Sequence, residues 1–339
     1  MKVGVIGLGY WGPNLVRNFM MQPDVEKVVA CDQRVERLQF IKNKFPSAQL
    51  TENPLDVING EVDIIVIATP VYTHHELAKR SLEAGKHIWV EKPFTSTTAE
   101  AEELIEIAEK KKLKIFVDHT FIYTGAVRKI KELVSKGELG KILYFDSERI
   151  NLGLFQRDVN VVWDLAPHDL SIMNYVLGDH KIEAVSSNGI ANYNGKENIA
   201  HLSIYFEDNC FAHFHVNWTS PVKIRRMIVG GDKKMLVFDD MENFEKIKVY
   251  DSGVEFKTQE SIHEALVQYR IGDMFSPKVN QTEALALGAR EFIDAINENR
   301  KPLTDGVDGL NVVRILEASS ESLKNRGKMI YFSNSPIEV

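Results

Sequence analysis

Val3-Gly4-Val5-Ile6-Gly7-Leu8-Gly9-Tyr10-Trp11-Gly12 runs from an apolar stretch into a glycine-lined turn, and Pro13 to Met21 follows with helical patterning. In a strand-turn-helix of this kind each glycine has a physical task. Gly7 permits the tight turn, Gly9 lets the backbone approach a pyrophosphate with no Cβ in the way, and Gly12 lets the helix pack close to the strand. The pyrophosphate would rest on the N–H groups at the start of that helix. A second apolar run, Val25 to Cys31, ends at Asp32, twenty residues beyond Gly12, where an acid meets the 2′-hydroxyl of an adenosine ribose. A carboxylate there repels a 2′-phosphate, so the expected cofactor is NAD rather than NADP. Two alternatives stand beside this reading: Asp32 as a plain helix cap, and Arg34 as a partner for the 2′-phosphate of NADP.

From Val35 to about Asp118 helix and strand patterns alternate, the signature of a doubly wound parallel sheet. Val35 to Phe45 and Leu55 to Asn59 read as helices, and Val62 to Ala68 as a strand buried on both faces. Thr69-Pro70 ends that strand at the carboxyl edge of the sheet, where ligands of such sheets bind. His74, His75 and Glu76 open a helix that Gly85 closes. A metal at His74 and His75 is disfavoured, because adjacent residues on a helix do not face one another. His87 to Val90 is the next strand and delivers Glu91-Lys92-Pro93 to the same edge. Thr98 to Lys112 is a helix, and Lys114 to Val117 closes the unit as a sixth strand.

With 339 residues the chain exceeds what one core usually supports, so two domains are expected, 1–118 and 119–339. A net charge of −7, without a long basic run, argues against a nucleic-acid partner. Cys31 and Cys210 have no paired spacing, which fits a reduced, cytoplasmic protein. No stretch approaches the roughly 18 apolar residues of a membrane span, and none reads as a signal peptide.

Ala68-Thr69-Pro70 with Thr73-His74, then Ala84-Gly85-Lys86-His87 and Glu91-Lys92-Pro93, resembles the glucose-fructose oxidoreductase and inositol dehydrogenase family of NAD(P)-dependent sugar and polyol dehydrogenases. Arg300-Lys301-Pro302-Leu303-Thr304-Asp305-Gly306 with Gly309 resembles the family's C-terminal mark, so the likeness covers nearly the whole chain. It implies a Rossmann domain followed by an α+β domain. It also implies that Lys92 touches both the nicotinamide ribose and the substrate hydroxyl, and that Thr69, Pro70, His74 and Glu91 help form the cofactor site. The family commonly carries an Arg-Phe pair where this chain reads Thr120-Phe121-Ile122-Tyr123, which leaves local substrate contacts open.

After the linking helix Gly125 to Lys136 the chain is rich in strands: Lys141 to Asn151, Lys181 to Gly189, Ile199 to Glu207, Cys210 to Trp218, Lys223 to Gly230, Lys233 to Asp239 and Lys246 to Tyr250. Period-two alternation and short turns predict a large, open, mostly antiparallel sheet. Apolar residues such as Phe211, Phe214 and Val216 are expected on an exposed face that pairs with another subunit, giving a homodimer or homotetramer. Two late helices, Thr282 to Asn297 and Val307 to Lys324, are expected to return to the first domain.

Chemistry in the second half concentrates in Trp163-Asp164-Leu165-Ala166-Pro167-His168-Asp169. A helix beginning near Pro167 would put His168 in its first turn, where the positive helix end favours a neutral base. By resemblance, Asp164 and His168 meet the family's Asp-x-x-x-His spacing, with His168 as general base and Asp164 hydrogen-bonded near the substrate. The alternative is a capping Asp164 and a core histidine. Arg149, Asn151, Arg157 and Asn160, and separately Lys223 and Arg225, are candidates to hold a substrate phosphate or carboxylate. Tyr10 and Trp11 must cover the cofactor or face the substrate. Gly-Tyr-Trp-Gly-Pro-Asn is common among family members acting on nucleotide-linked sugars. The resemblance implies oxidation of a secondary alcohol, at C3 of a nucleotide-linked N-acetylhexosamine. Alternatives are inositol or a free sugar, reduction of a keto sugar, and a non-catalytic NAD-binding sensor.

Overall fold

Six parallel strands in the order β3-β2-β1-β4-β5-β6 form the first sheet: β1 (Lys2–Ile6), β2 (Lys27–Cys31), β3 (Gln49–Thr51), β4 (Ile64–Ile67), β5 (His87–Val90) and β6 (Ile115–Val117). Strand order reverses between β1 and β4, which opens a crevice at their carboxyl ends. The Ile-Ile-Val-Ile run of β4 is wholly buried, as a β-branched strand covered on both faces must be. Helices α1 (Gly12–Met20), α2 (Val35–Lys44), α3 (Pro54–Ile58), α4 (His74–Glu83) and α5 (Thr98–Lys111) provide that cover. Gly85 follows α4 at φ +77°, and Thr97 with Glu100 forms a capping box on α5. The three-residue β3 is too short for its periodicity to be read in the sequence.

The computed structural model describes residues 1–153, 155–156, 158–178, 180–193, 195–255 and 268–332. They form two compact units, Met1–Tyr123 with Thr282–Arg314, and Thr124–Gln281 with Ile315–Val339. In the first unit the core is closed by the helix Ala284–Asn297: Trp89 stacks on Phe116 at 3.9 Å, and Phe292 meets Phe116 at 5.3 Å and Trp89 at 6.1 Å. Arg17 on α1 forks onto Glu283 just before that helix, at 2.5 and 2.9 Å. The helix Gly306–Lys324 begins against β6, where a Cβ on Gly309 would lie 2.7 Å from Val117 Cγ2.

The second unit holds a nine-stranded sheet of β7 (Ile142–Leu152), β8 (Ile182–Ile190), β9 (Ile199–Phe206), β10 (Phe211–Asn217), β11 (Thr219–Gly231), β12 (Met235–Asp239), β13 (Ile247–Tyr250), β16 (Met274–Phe275) and β17 (Ile330–Tyr331). A separate pair joins β14 (Gly253–Glu255) to β15 (Gln268–Arg270). All pairings are antiparallel except that of β7 with β10. Helix α6 (Gly125–Ser135) packs on α7 (Val161–Leu177), and α7 lies on β7, β9 and β10. Its side of the sheet presents the buried residues Phe145, Leu202, Ile204, Ala212, Phe214 and Val216. The other side carries Asp146, Glu148, His201, Tyr205, Phe211, His213 and His215, all only partly buried or exposed. Phe214 and Val216 therefore do not share the open face with Phe211. Side chains alternate with period two, so residues three or five apart point to opposite sides. Among the described residues, no helix is long and apolar enough to cross a membrane.

Candidate functional site

In the first unit a cleft of about 740 Å³ opens at the carboxyl ends of β1, β2 and β4, lined by Gly7, Gly9, Asp32, Arg34, Thr69 and Pro70 among others. Three glycines build one wall. Gly7 sits at φ +98°, and a Cβ there would lie 2.4 Å from the Ala68 carbonyl oxygen. At Gly12 a Cβ would lie 2.1 Å from the Gly7 oxygen, so this glycine is required for the helix to approach the turn. At Gly9 a Cβ would meet nothing within 4 Å among the described residues, so protein packing does not demand this glycine. The open space fits the close approach of a pyrophosphate. Trp11, at the N-cap of α1, places no side-chain cap on the first-turn N–H groups, which fits an anion there.

Asp32 lies at the end of β2 and is 8 % exposed. Its Oδ2 accepts from the Leu8 backbone N–H at 2.8 Å, and Arg34 forks onto it, Nε to Oδ1 and Nη2 to Oδ2, both at 3.0 Å. Burial opposes ionisation, but the hydrogen bonds from Arg34 and Leu8 outweigh it and hold the carboxyl below its usual pKa. The acid is thus an ionised anchor for the glycine turn as well as a lining residue of the cleft. These groups fit the adenosine and pyrophosphate parts of NAD.

His74 is 1 % exposed and bridges two loops: Nδ1 bonds Pro93 O at 2.9 Å and Nε2 bonds Thr69 O at 2.8 Å. Its ring therefore ties the loop after β4 to Lys92-Pro93, whose peptide bond is cis. It shapes the site as a buried staple. Tyr10 is 91 % exposed, whereas Trp11 turns inward and donates from Nε1 to Asp118 Oδ2 at 3.3 Å. Glu91 and Lys92 leave β5 beside Asp118 and His119, which leave β6. The sequence reading takes Asp118-His119 as the crossing point that ends the first domain and leaves both out of the site, although an acid directly after a buried strand is the same signal that singled out Asp32.

In the second unit α7 starts at Val161, well before Pro167. Asn160 caps it, with Oδ1 accepting from Trp163 N at 3.1 Å and Nδ2 donating to Glu197 at 2.9 Å. Pro167 is carried inside the helix, so His168 is mid-helix and the end-of-helix field expected at its ring is absent. Asp164 falls in the first turn instead. Four residues apart, Asp164 and His168 share one face, both half-buried. Trp218 Nε1 donates to Asp164 Oδ2 at 3.0 Å and fixes that carboxylate.

The substrate candidates separate. Arg149 is 3 % exposed and forks onto Asp169, which is 1 % exposed, with Nε–Oδ1 at 2.9 Å and Nη2–Oδ1 at 2.5 Å, while Ser147 donates to Asp169 at 2.7 Å. Its fork is engaged inside the core, and Asn160 is engaged as a cap. Arg225, opposite Arg149 in the β11–β7 register, pairs with Asp240 at 3.6 Å. Burial and then the Arg149 charge lower its pKa, and its buried Nε has no hydrogen-bond partner among the described residues. Asn151 is half-exposed on β7 and Lys223 is exposed on β11. Arg157 lies outside the described residues. No group of His, Cys, Asp and Glu that could hold a metal ion occurs among those described.

Comparison with known proteins agrees with this architecture. Over 322 residues the chain is 25 % identical to the UDP-N-acetylglucosamine 3-dehydrogenase of Acidithiobacillus ferrooxidans, covering 92 % of this chain and 94 % of that one. It is 28 % identical over 195 residues to the myo-inositol 2-dehydrogenase of Thermotoga maritima, covering 56 % and 58 %. The WlbA dehydrogenase of Bordetella pertussis, solved in complex with NADH and UDP-GlcNAcA, shares the fold with a TM-score of 0.82 at 17 % identity over 99 % and 98 % of the chains. The profile of the oxidoreductase family's NAD-binding Rossmann fold matches residues 1–119, and that of its C-terminal alpha/beta domain matches residues 131–330. The chain belongs to the GFO/IDH/MocA oxidoreductase family, with NAD as the cofactor of its Rossmann domain.

Proposed function

We propose that this oxidoreductase oxidises the C3 hydroxyl of a nucleotide-linked N-acetylhexosamine, of the UDP-N-acetylglucosamine type, to the 3-keto sugar. The carrying observation is the end-to-end likeness to a UDP-N-acetylglucosamine 3-dehydrogenase. The Gly9-Tyr10-Trp11-Gly12-Pro13-Asn14 loop supports it. Bound NAD supplies the hydride acceptor, nicotinamide C4. His168 takes the hydroxyl proton, Lys92 stabilises the alkoxide that develops on the same oxygen, and Asp164, held by Trp218, orients the substrate beside His168. General-base help of this kind is worth roughly 10² to 10⁴ in rate, and a positioned charge at the alkoxide contributes on a similar scale. We assign NAD over NADP to the Asp32 carboxylate. Retention of both Lys92 and the Asp164–His168 pair argues against a sensor that binds NAD without turnover.

A second reading, oxidation of a free polyol, is favoured by the likeness to myo-inositol 2-dehydrogenase, though that likeness spans about half the chain. A panel of UDP-sugars, dTDP-sugars and inositols, read in both directions by NADH absorbance and by thermal shift, separates the two. A ligand at a hundredfold excess over its Kd stabilises by about 2.7 kcal/mol. Turnover of UDP-N-acetylglucosamine supports the first reading; turnover confined to inositols replaces it with the second.

The same proposal places the enzyme in the cytoplasm, where the buried thiols of Cys31 and Cys210 stay reduced, and as a homodimer or homotetramer through the open face of the nine-stranded sheet. That face carries the Tyr205–Phe211 ring pair at 5.2 Å among its polar groups. Light scattering that gives a monomer at micromolar concentration would remove the assembly.

A further inference from the structure

Antiparallel register sets two arginines opposite one another in the second unit. Arg149 on β7 and Arg225 on β11 are register partners, so both belong to the side of the sheet that α7 covers. Arg149 is compensated there. Asp169, the residue after His168, accepts from its Nε and Nη2, and Ser147 donates to the same carboxylate at 2.7 Å. That fork ties α7 to the sheet one residue from His168. Arg225 has no equivalent among the described residues. Asp240 faces its Nη1 at 3.6 Å, beyond hydrogen-bond length. The same carboxylate is already held through Oδ1 by Lys246 Nζ at 3.0 Å, and that Nζ also donates to the Asp240 carbonyl at 2.8 Å. Arg225 Nε, the counterpart of the atom that Asp169 takes on Arg149, is closed off from solvent and meets no acceptor among the described residues. Three cations, Arg149, Arg225 and Lys246, thus share two carboxylates, Asp169 and Asp240. Like charges directly opposite one another cost stability, and so does a buried N–H without an acceptor. The Arg225 side chain is nevertheless 32 % exposed, so the shortfall lies at the border of solvent, within reach of a ligand. Arg226, the next residue, belongs to the open side and pairs with Glu148 at 3.3 Å.

We propose that Arg225 binds an oxyanion of the substrate, a phosphate or a carboxylate, alongside the Arg149–Asp169 fork that anchors α7 at His168. That the ligand is the substrate rests on the function proposed above; that an anion binds there does not. The anion supplies for Arg225 what Asp169 supplies for Arg149, an oxygen for the Nε edge and a negative charge beside the guanidinium. The planar fork suits phosphate and carboxylate alike. Binding also cancels the excess positive charge, so affinity comes from relief of the Arg149–Arg225 repulsion as well as from the new hydrogen bonds. A UDP-linked sugar carries such an oxyanion in its diphosphate, and a uronate carries another on the sugar itself. A neutral polyol carries none, so Arg225 sorts substrates by charge.

The test uses the full chain saturated with NAD, so that the pyrophosphate cleft of the first unit is filled. Parent, Arg225→Gln and Arg225→Lys are titrated calorimetrically with UDP, UDP-N-acetylglucosamine, its C6 uronate and inorganic pyrophosphate. The glutamine variant should bind at least one of these about tenfold or more weakly. The lysine variant keeps the charge without the fork and should lose less. A loss shared by UDP and pyrophosphate assigns the diphosphate, and a loss confined to the uronate assigns the carboxylate. Equal affinity of parent and glutamine variant for every probe, or a parent that binds none of the four, overturns the proposal. Melting temperature gives a readout that a structural arginine would move the other way. Because Arg225 opposes Arg149, Arg225→Gln should leave the substrate-free protein as stable or more stable; a fall of more than about 4 °C makes the residue structural and overturns the reading. In steady state the glutamine variant should raise KM for the anionic substrate with kcat within about threefold of the parent. Failure of the proposed function shows separately, as absent turnover of every UDP-sugar by the parent, and the pyrophosphate titration then still decides the anion site.

Discussion

Asp32→Asn separates cofactor choice from loop architecture. The carboxylate holds Leu8 N at 2.8 Å and the Arg34 fork at 3.0 Å, and an amide oxygen keeps the first bond but not the charge. Because the Arg34 side chain is 51 % exposed, the lost ion pair is worth only about 0 to 1 kcal/mol of stability. The melting temperature should therefore move by no more than about 4 °C. Replacing a charged acceptor of the ribose hydroxyl by a neutral one costs about 1 to 1.5 kcal/mol, so NAD should bind roughly five- to tenfold more weakly. For NADP the sign reverses, because the carboxylate that repels its 2′-phosphate is gone and Arg34 is released to meet it, a gain of about 1.5 to 3 kcal/mol. Isothermal titration of both dinucleotides should show a preference for NAD of at least about tenfold in the parent that narrows or inverts in the variant. That preference should be flat at and above neutral pH. Asp32 is held below its usual pKa, so it is ionised throughout that range and its contribution fades only as acidification approaches the lowered pKa of the folded protein. Equal affinity for both cofactors in the parent, or an equal loss for both in the variant, would refute the assignment.

Lys92→Ala and His168→Ala should each lower kcat by at least about a hundredfold, less than additively together, with NAD affinity little changed in the His168 variant. Near-normal turnover without His168 would send the proton elsewhere. Asp169→Ala should destabilise by about 3 to 5 kcal/mol, since it strands the buried Arg149 guanidinium, while replacing both partners with apolar residues should recover most of that loss in a urea titration. Asp308, raised to about 7 mainly by burial and then by Asp305, keeps a proton when folded that the unfolded chain releases. Stability should fall as pH climbs from about 4 towards 7, and Asp308→Asn should flatten that slope in melts taken across the range.

The Rossmann half was legible because its decisive features are local. The glycine spacing, the acid ending β2 and the wholly apolar β4 each follow from a few consecutive residues. The strands of the second unit were legible through their alternation, but not the sharing of faces: Phe211 and Phe214 look equivalent as apolar residues and differ only by parity. The start of α7 was misplaced because Pro167 is a strong local stop signal, overridden here by the Asn160 cap and the burial of Val161 and Val162. The fates of Arg149 and His74 could not be read at all. Each is settled by a partner far along the chain, Asp169 for one and the carbonyls of Thr69 and Pro93 for the other. Glu91 and Asp118 belong to the same class, brought together by strand register.

The return of Thr282–Arg314 to the first unit bears on how the chain is made. A ribosome that has released residues 1–123 has produced every strand of the parallel sheet, yet the Trp89–Phe116 stack still lacks Phe292. Synthesis of the intervening residues 124–281 takes roughly 10 to 30 s at ordinary elongation rates. For that interval the nascent segment 1–123 exposes aromatic surface that the finished protein hides, a target for chaperones and a hazard for aggregation. An expression fragment cut after Tyr123 would carry the same exposed surface permanently. A soluble cofactor-binding fragment needs residues 282–314 joined back on, by fusion or circular permutation.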